Sequence, residues 1–285
     1  MNTPPFPATL DAVKEASTVL HQEGASLEDV STPIEALLLD RIENQPRSLQ
    51  RRIGPSEIGT ECDHCLAAKL AGWEEQSSGV PWASTVGTAI HALLENFVEQ
   101  SRVDAWNPQT DASPPPFRYF TEQRITVGQI GGQNITGSID LLDVQTGTTV
   151  DWKAVNPSRL RQYKSQGPSQ VYRVQAHLYA KGCNDAGIPV ERVSICFLPR
   201  GSNNFFERHW WSEPYDPQIA QEALERANRL QTNLDALTPM GTQIRDAWIT
   251  GLPRAEGCYS CARYPDAPSV IQTSGGIQMD LPTTK

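Results

Sequence analysis

Residues 137–154 read GSIDLLDVQTGTTVDWKA, and the fold turns on this stretch. Two apolar-rich segments flank a short polar turn, the pattern of a β-hairpin. With Gln145 and Thr146 at the centre of the turn, Asp140 lies directly opposite Asp151. Centring the turn on Thr146 and Gly147 sets Asp140 against Lys153 instead. Asp151 and Lys153 are two apart and share one face of their strand, so either register gathers two carboxylates and a lysine. A three-residue loop would shift the pairing by one.

Directly paired side chains stand about 4.5–5.5 Å apart at Cβ. Carboxylates this close oppose each other's ionisation unless a cation lies between them. Mg²⁺ answers that need, because it takes hard oxygen ligands and keeps several waters. A metal held there would stabilise phosphodiester charge and lower the pKa of an attacking water. A neighbouring lysine would orient that water or stabilise the transition state. The competing reading is an exposed strand face with an ordinary Asp–Lys pair. The hairpin alone leaves both open, since D-x-K is a short motif.

Outward from the hairpin, TEQRITV precedes it as a strand, and ERVSICFLPR and NNFFERHWW follow as two more. Asn156-Pro157 ends the strand that carries Lys153. A helix is expected over Gln170–Lys181, with Gly182 as its stop. Upstream, STVGTAIHALLENFVEQ begins a helix at Ser84 whose Ile90, Leu93, Leu94, Phe97 and Val98 form an apolar stripe. Ser56 could cap a short helix leading into Cys62. Asp216-Pro217 opens the long helix QIAQEALERANRLQTNLDAL, and a short helix follows near Gln243–Ile249. This order predicts an α/β fold, a mixed central β-sheet flanked by helices. Residues 1–52 read as a polar, helical extension, with a weak helix near Leu10–Gln22 and a better one over Ile34–Glu43. Residues 53–265 read as the main domain, and the Pro/Ser/Thr-rich 266–285 as a disordered tail.

Six cysteines fall into three groups. Cys62 and Cys65 form one C-x-x-C unit and Cys258 and Cys261 another, the two bracketing the predicted core. In a reducing compartment such units suggest metal before disulfide, and four thiolates suit tetrahedral zinc. Cys183 and Cys196 lack that spacing and read as buried or incidental thiols, and His64 reads as a bystander inside the first pair.

The formal charge of −9 offers no general attraction for nucleic acid. Net charge is an average, however, and a basic cleft can sit on an acidic body. Arg47, Arg51 and Arg52 cluster before the first cysteines, and Arg159, Arg161, Lys164 and Arg173 follow the hairpin. These are either solvated patches or phosphate contacts. No apolar run reaches bilayer length, and the N-terminus lacks the basic and apolar regions of a secretory signal, so a cytoplasmic protein is expected.

Taken in order, four elements resemble the PD-(D/E)XK nuclease superfamily, in its RecB-like branch. They are His91 in GTAIHALLE, Gly137-x-x-Asp140, Asp151-Trp152-Lys153, and Gln175-x-x-x-Tyr179 in QAHLYA. The resemblance spans roughly residues 55–262. It implies that His91, Asp140, Asp151 and the backbone carbonyl of Trp152 hold Mg²⁺ or Mn²⁺. Lys153, Gln175 and Tyr179 would complete the catalytic set with the two acids. Arg159, Arg161, Lys164 and Arg173 would bind DNA beside it. Asp151 stands where many members carry Glu, a variation the RecB-like members share. Glu95 lies one turn from His91 on the same face, and Tyr172 lies near Gln175.

The segment PSEIGTECDHC resembles the first-cysteine region of RecB-like CRISPR-associated exonucleases and AddB-type nucleases. Those proteins hold a 4Fe-4S cluster with cysteines from both sides of the core, usually one upstream and three downstream. This chain has two and two, which keeps zinc as an alternative. The resemblance implies a DNA exonuclease of recombination, repair or phage DNA processing, working on DNA ends and with recombination or replication proteins, in the host cytoplasm if phage-encoded. The alternatives are a catalytically inactive nuclease-like module that grips DNA or a protein partner, and a structural zinc protein with an incidental hairpin.

Overall fold

A computed structural model of the chain describes residues 9–20, 26–44, 53–76, 79–107, 109, 113 and 115–264. The cluster Arg47, Arg51 and Arg52 and the expected tail 266–285 lie outside the described residues. The chain divides into two compact units, Met1–Leu49 and Gln50–Lys285. In the first, α1 (Leu10–Leu20) and α2 (Leu27–Glu43) are described, and neither buries a residue. Helix α2 starts seven residues before the expected Ile34. Ser26 accepts a hydrogen bond from the Asp29 amide and Asp29 accepts one from the Ser26 amide, a capping box that starts the helix at Leu27.

The second unit is a five-stranded sheet with helices packed on it. The strands are β1 (Tyr119–Ile130), β2 (Gln133–Asp143), β3 (Thr148–Val155), β4 (Arg192–Pro199) and β5 (His209–Pro214), in spatial order β1-β2-β3-β4-β5. Pairing is antiparallel except between β3 and β4, which run parallel. The sheet is therefore mixed and flanked by helices, as the element order predicts. The parallel pair needs a crossover, and α6 (Pro157–Gln166) and α7 (Gln170–Asp185) supply it. Ile139, Val193, Ile195, Phe197 and Leu178 lie in the buried core. Among the described residues no helix is long and apolar enough to cross a membrane.

Several expected boundaries move for identifiable reasons. Pro157 starts α6 as well as following a strand, because Asn156 caps the helix by accepting from the Arg159 amide. Gly182 does not stop α7, which runs on to Asp185. A Cβ there would stand 2.8 Å from the Thr126 carbonyl oxygen, so this glycine lets the helix press onto β1. The cap of α3 (Pro55–Ile58) is Gly54 and not Ser56, with Pro55 at the first helical position. NNFFERHWW divides into a 3-10 turn at Phe205–Glu207 and the shorter strand β5. In α5 (Trp82–Asp104) the expected apolar stripe is only half covered, and Leu93 and Phe97 are exposed. The face turned inward carries His91, Leu94, Glu95 and Val98, so this helix presents polar groups to the sheet.

Helix α8 (Pro217–Leu237) begins where expected, with the Asp216 side chain accepting from the Gln218 amide. It packs against α7, α4 (Asp63–Leu70) and β1. Helix α9 (Thr242–Thr250) then leads to the last two cysteines.

Candidate active site

The hairpin register follows from its turn. Asp143 pairs with Thr148, Leu142 with Thr149 and Leu141 with Val150, which continues to Asp140 opposite Asp151. This is the register centred on Gln145 and Thr146. Asp143 fixes it: its Oδ1 accepts from the Gln145 amide at 3.1 Å and its Oδ2 from the Thr146 hydroxyl at 2.8 Å. Arg118 grips both oxygens of the same carboxylate, at 2.8 and 2.6 Å. That bidentate contact, against a burial that opposes it, holds the Asp143 carboxyl below its usual value.

Beyond Leu141 and Val150 the backbone ladder stops. The Trp152 amide donates to Asp140 Oδ2 at 2.8 Å, so a side-chain carboxylate takes the place of a strand carbonyl. His91 reaches in from α5, its Nε2 2.8 Å from the Trp152 carbonyl oxygen and its Nδ1 3.3 Å from Asp140 Oδ1. One imidazole thus bridges two of the oxygen atoms that the sequence resemblance gives to a metal. Burial acts against charging this ring, but the hydrogen bond and charge of Asp140, with the charge of Asp151, outweigh it and raise the His91 pKa.

Asp151 is buried, and among the described residues no backbone amide or hydroxyl donates to its oxygens. Its neighbour in charge is Lys153, with Nζ 2.6 Å from Oδ2. Burial pushes the Asp151 carboxyl up to about 6; the Lys153 charge opposes this and the Asp140 charge adds to it. Lys153 is held cationic by Asp151 and Asp140 despite its own burial, and its ammonium lies 4.9 Å from the Tyr172 ring centre. A buried carboxylate is costly unless a cation compensates it. One lysine shared between two acids leaves room for a further positive charge.

Helix α7 brings Gln175 and Tyr179 to the same place. They lie one turn apart on the same face, and the buried Gln175 Oε1 has no partner among the described residues. Tyr179 packs against β2 at Gly137, where a Cβ would meet its hydroxyl and Pro55 Cγ, each at 2.8 Å. Glycine three residues before Asp140 therefore lets the helix and α3 approach the strand that holds the acid.

Arg173 does not join this group. It lies two residues from Gln175, about 200° around the helix, and its Nε contacts Glu213 on β5 at 2.6 Å. His177 Nε2 meets the same Glu213 oxygen at 2.6 Å. Arg159, Arg161 and Lys164 lie exposed along α6, while Leu160 and Tyr163 pack inward. Among the described residues no carboxylate pairs with these three cations.

The structure also brings in Glu122, which no sequence pattern marks. Glu122 lies opposite Asp140 on β1, between the pairs Thr121–Leu141 and Gln123–Ile139. Ligand atoms of His91, Glu122 and Asp140 lie within 4.8 Å of one another. Its φ of 50° makes it the one described non-glycine residue in the left-handed region. Burial and the charge of Asp140 raise its pKa. No spacing signal links it to the hairpin, because cross-strand contact depends on a register that only the folded sheet reveals.

The four paired cysteines converge as a second cluster, with ligand atoms of all four within 4.8 Å of one another. Cys62 Sγ lies 3.4 Å from Cys261 Sγ, and Cys65 Sγ lies 3.6 Å from Cys261 and 3.9 Å from Cys258. Backbone amides of Cys65 and Ala255 point at the Cys62 sulfur and, against burial, lower its pKa. The cluster can ligate a metal ion. His64 stands behind it, fully buried, with Nδ1 3.8 Å from Cys65 Sγ and Nε2 3.0 Å from the Arg254 guanidinium. Cys183 and Cys196 are buried apart from the cluster, and burial pushes their thiols up to about 11 and about 12.

No family model and no curated protein matches the chain. Among solved structures it is similar to an alkaline exonuclease from Laribacter hongkongensis, at 12% identity over 67% of this chain and 91% of that one, with a TM-score of 0.41. The complex of that enzyme with dAMP gives 13%, the same coverage and 0.42. A candidate exonuclease from Eubacterium rectale gives 13% over 82% of this chain and 97% of that one, with a TM-score of 0.38.

Proposed function

We propose that this chain is a metal-dependent DNA nuclease with a PD-(D/E)XK-type site, hydrolysing phosphodiester bonds from DNA ends. The observation that carries the reading is the buried cluster itself: the Asp151 carboxylate with Lys153 Nζ 2.6 Å away, beside Asp140 and its partner His91. A folded chain keeps so costly a group where a function requires it. Asp140, Asp151 and the Trp152 carbonyl, with His91 swung from its bridging position, would hold Mg²⁺ or Mn²⁺. The ion would supply charge for the phosphate and acidify a water. Lys153 would orient that water and meet developing negative charge. Gln175 and Tyr179 bring hydrogen-bonding groups to the same cleft.

For the cysteine cluster, the sulfur spacing supports a single ion over a cluster. Four sulfurs about 2.3 Å from one zinc define a tetrahedron with edges of about 3.8 Å. Three of the separations, 3.4, 3.6 and 3.9 Å, fit that figure, and all four sulfurs lie within 4.8 Å of one another. A 4Fe-4S centre binds each thiolate to a different iron and spreads the sulfurs further apart. Zinc is therefore the preferred occupant, and its role is to tie the chain together.

The test is digestion of end-labelled linear DNA beside closed circular DNA, with Mg²⁺, with Mn²⁺ and with neither. The reading expects metal-dependent loss of the linear DNA and survival of the circle. Cleavage of both would keep the nuclease and reject action from ends. Cleavage of neither with any divalent ion would reject the reading.

A further inference from the structure

Beside the acids, the sheet carries an aromatic surface that the hydrolytic reading does not use. The loop between β4 and β5 (residues 200–208) leaves the sheet next to the site. The Arg200 amide donates to the Val155 carbonyl at 2.8 Å, two residues along β3 from Lys153. At its far side Phe205 is 59% exposed and its neighbour Phe206 is 82% exposed. The Arg208 guanidinium covers both rings, 4.6 and 5.5 Å from their centres.

A second aromatic pair lies where β5 leaves the loop, on the sheet face opposite Asp151 and Lys153. Trp152 pairs with Cys196 and Cys196 with Trp210, so the two indoles lie on one face with a small residue between them. They meet over Cys196 edge to face, with centres 5.8 Å apart. Trp210 is still 47% exposed. Its packing partner Trp152 is the residue whose amide and carbonyl engage Asp140 and His91.

Single exposed apolar side chains are ordinary on protein surfaces, but adjacent exposed rings capped by a cation form a patch. Aromatic rings interleaved with arginine are what unpaired bases stack on, since every base offers a π-face. The charge of the loop agrees: Arg200 and Arg208 outnumber Glu207. A blunt duplex keeps its bases stacked inside and presents phosphates. An unpaired strand offers the rings every base, a blunt duplex only the face of its last pair.

We infer that the β4–β5 loop is a stacking platform for single-stranded DNA, guiding an unpaired end into the cleft. The inference rests on the nuclease reading and adds its substrate form. The test is fluorescence anisotropy of the full chain with labelled oligothymidylate of about 20 nucleotides and with a blunt duplex of equal length. Ca²⁺ replaces Mg²⁺ to slow cleavage. The double variant Phe205→Ala/Phe206→Ala removes rings that the fold does not bury, and circular dichroism checks its folding. Stacking of this kind predicts a loss of roughly tenfold or more for the single strand, with duplex affinity nearly unchanged. An unchanged single-strand affinity would overturn the platform and leave the rings to a protein partner. An equal loss for both DNAs would overturn it in favour of a general backbone contact. If the parent binds neither DNA, the nuclease reading falls with it; if the parent binds and cleaves while the variant behaves identically, the platform alone falls.

Discussion

At the scale of single residues, Asp143 decides where the two clustered acids sit. Its hydrogen bonds hold the turn that sets Asp140 against Asp151, and a one-residue slip would turn one acid to the other face. Its carboxyl is depressed by Arg118, so its contribution is present above the unfolded value near 4 and is lost as pH falls through the lower folded value. Asp143→Asn should therefore lower the unfolding free energy at pH 7 by about 1–3 kcal/mol. In denaturant titrations the gap to the parent should narrow as the pH is brought down through the carboxylate range, and a gap independent of pH would contradict the assignment. Asp151→Asn should also destabilise the metal-free chain, because it leaves the buried Lys153 ammonium with Asp140 as its remaining counter-charge; a variant as stable as the parent would contradict the pairing. Asp140, Asp151 and Lys153 were legible because strand alternation and a short turn place them by counting. Glu122 was not, since its place beside Asp140 comes from a neighbouring strand and a left-handed backbone that no local pattern announces.

At the scale of elements, the helices divide the labour between holding and presenting. Helix α7 turns Gln175 and Tyr179 to the cleft and Arg173 and His177 to Glu213 on β5, so one helix serves the site and braces the sheet edge. The Q-x-x-x-Y spacing was readable because four residues return to one face. The basic run after the hairpin was readable only as charge, and it splits once the helices are resolved. Arg159, Arg161 and Lys164 ride on the outside of α6, whereas Arg173 belongs to the brace. The helix α6 itself was hidden by Pro157, which closes a strand and opens a helix with equal ease. Arg159→Ala/Arg161→Ala should reduce the salt slope of log K for DNA by up to about two, one for each phosphate no longer neutralised. Arg173→Ala should leave that slope unchanged while weakening the fold. An unchanged slope in the double variant would return α6 to plain solvated surface.

At the scale of the whole molecule, the cysteine cluster joins segments 193 positions apart, Cys65 and Cys258, around the entire sheet. Other bonds repeat the closure. The Gln76 amide donates to the Arg263 carbonyl, Tyr264 to Glu75, and Trp73 to Asp246. Closing so long a loop gains only logarithmically with length, but metal–thiolate bonds add energy that exists chiefly in the folded chain. Cys258→Ser should cost about 3 kcal/mol or more, a fall in Tm of roughly 6–12 °C, and should release the bound ion. An unchanged Tm with one zinc still bound would contradict the clamp. The pairing of the two C-x-x-C units could be read from spacing, but the ion could not, because spacing along the chain does not give the distance between sulfurs. The central claim is that Asp140, Asp151 and Lys153 form a hydrolytic metal site. Its most direct test compares the parent with Asp151→Asn for nucleotide release from linear DNA across an Mn²⁺ titration, with both proteins shown to be folded. The account predicts Mn²⁺-dependent release by the parent and loss of about a hundredfold or more in the variant. Equal release by the two folded proteins would contradict it.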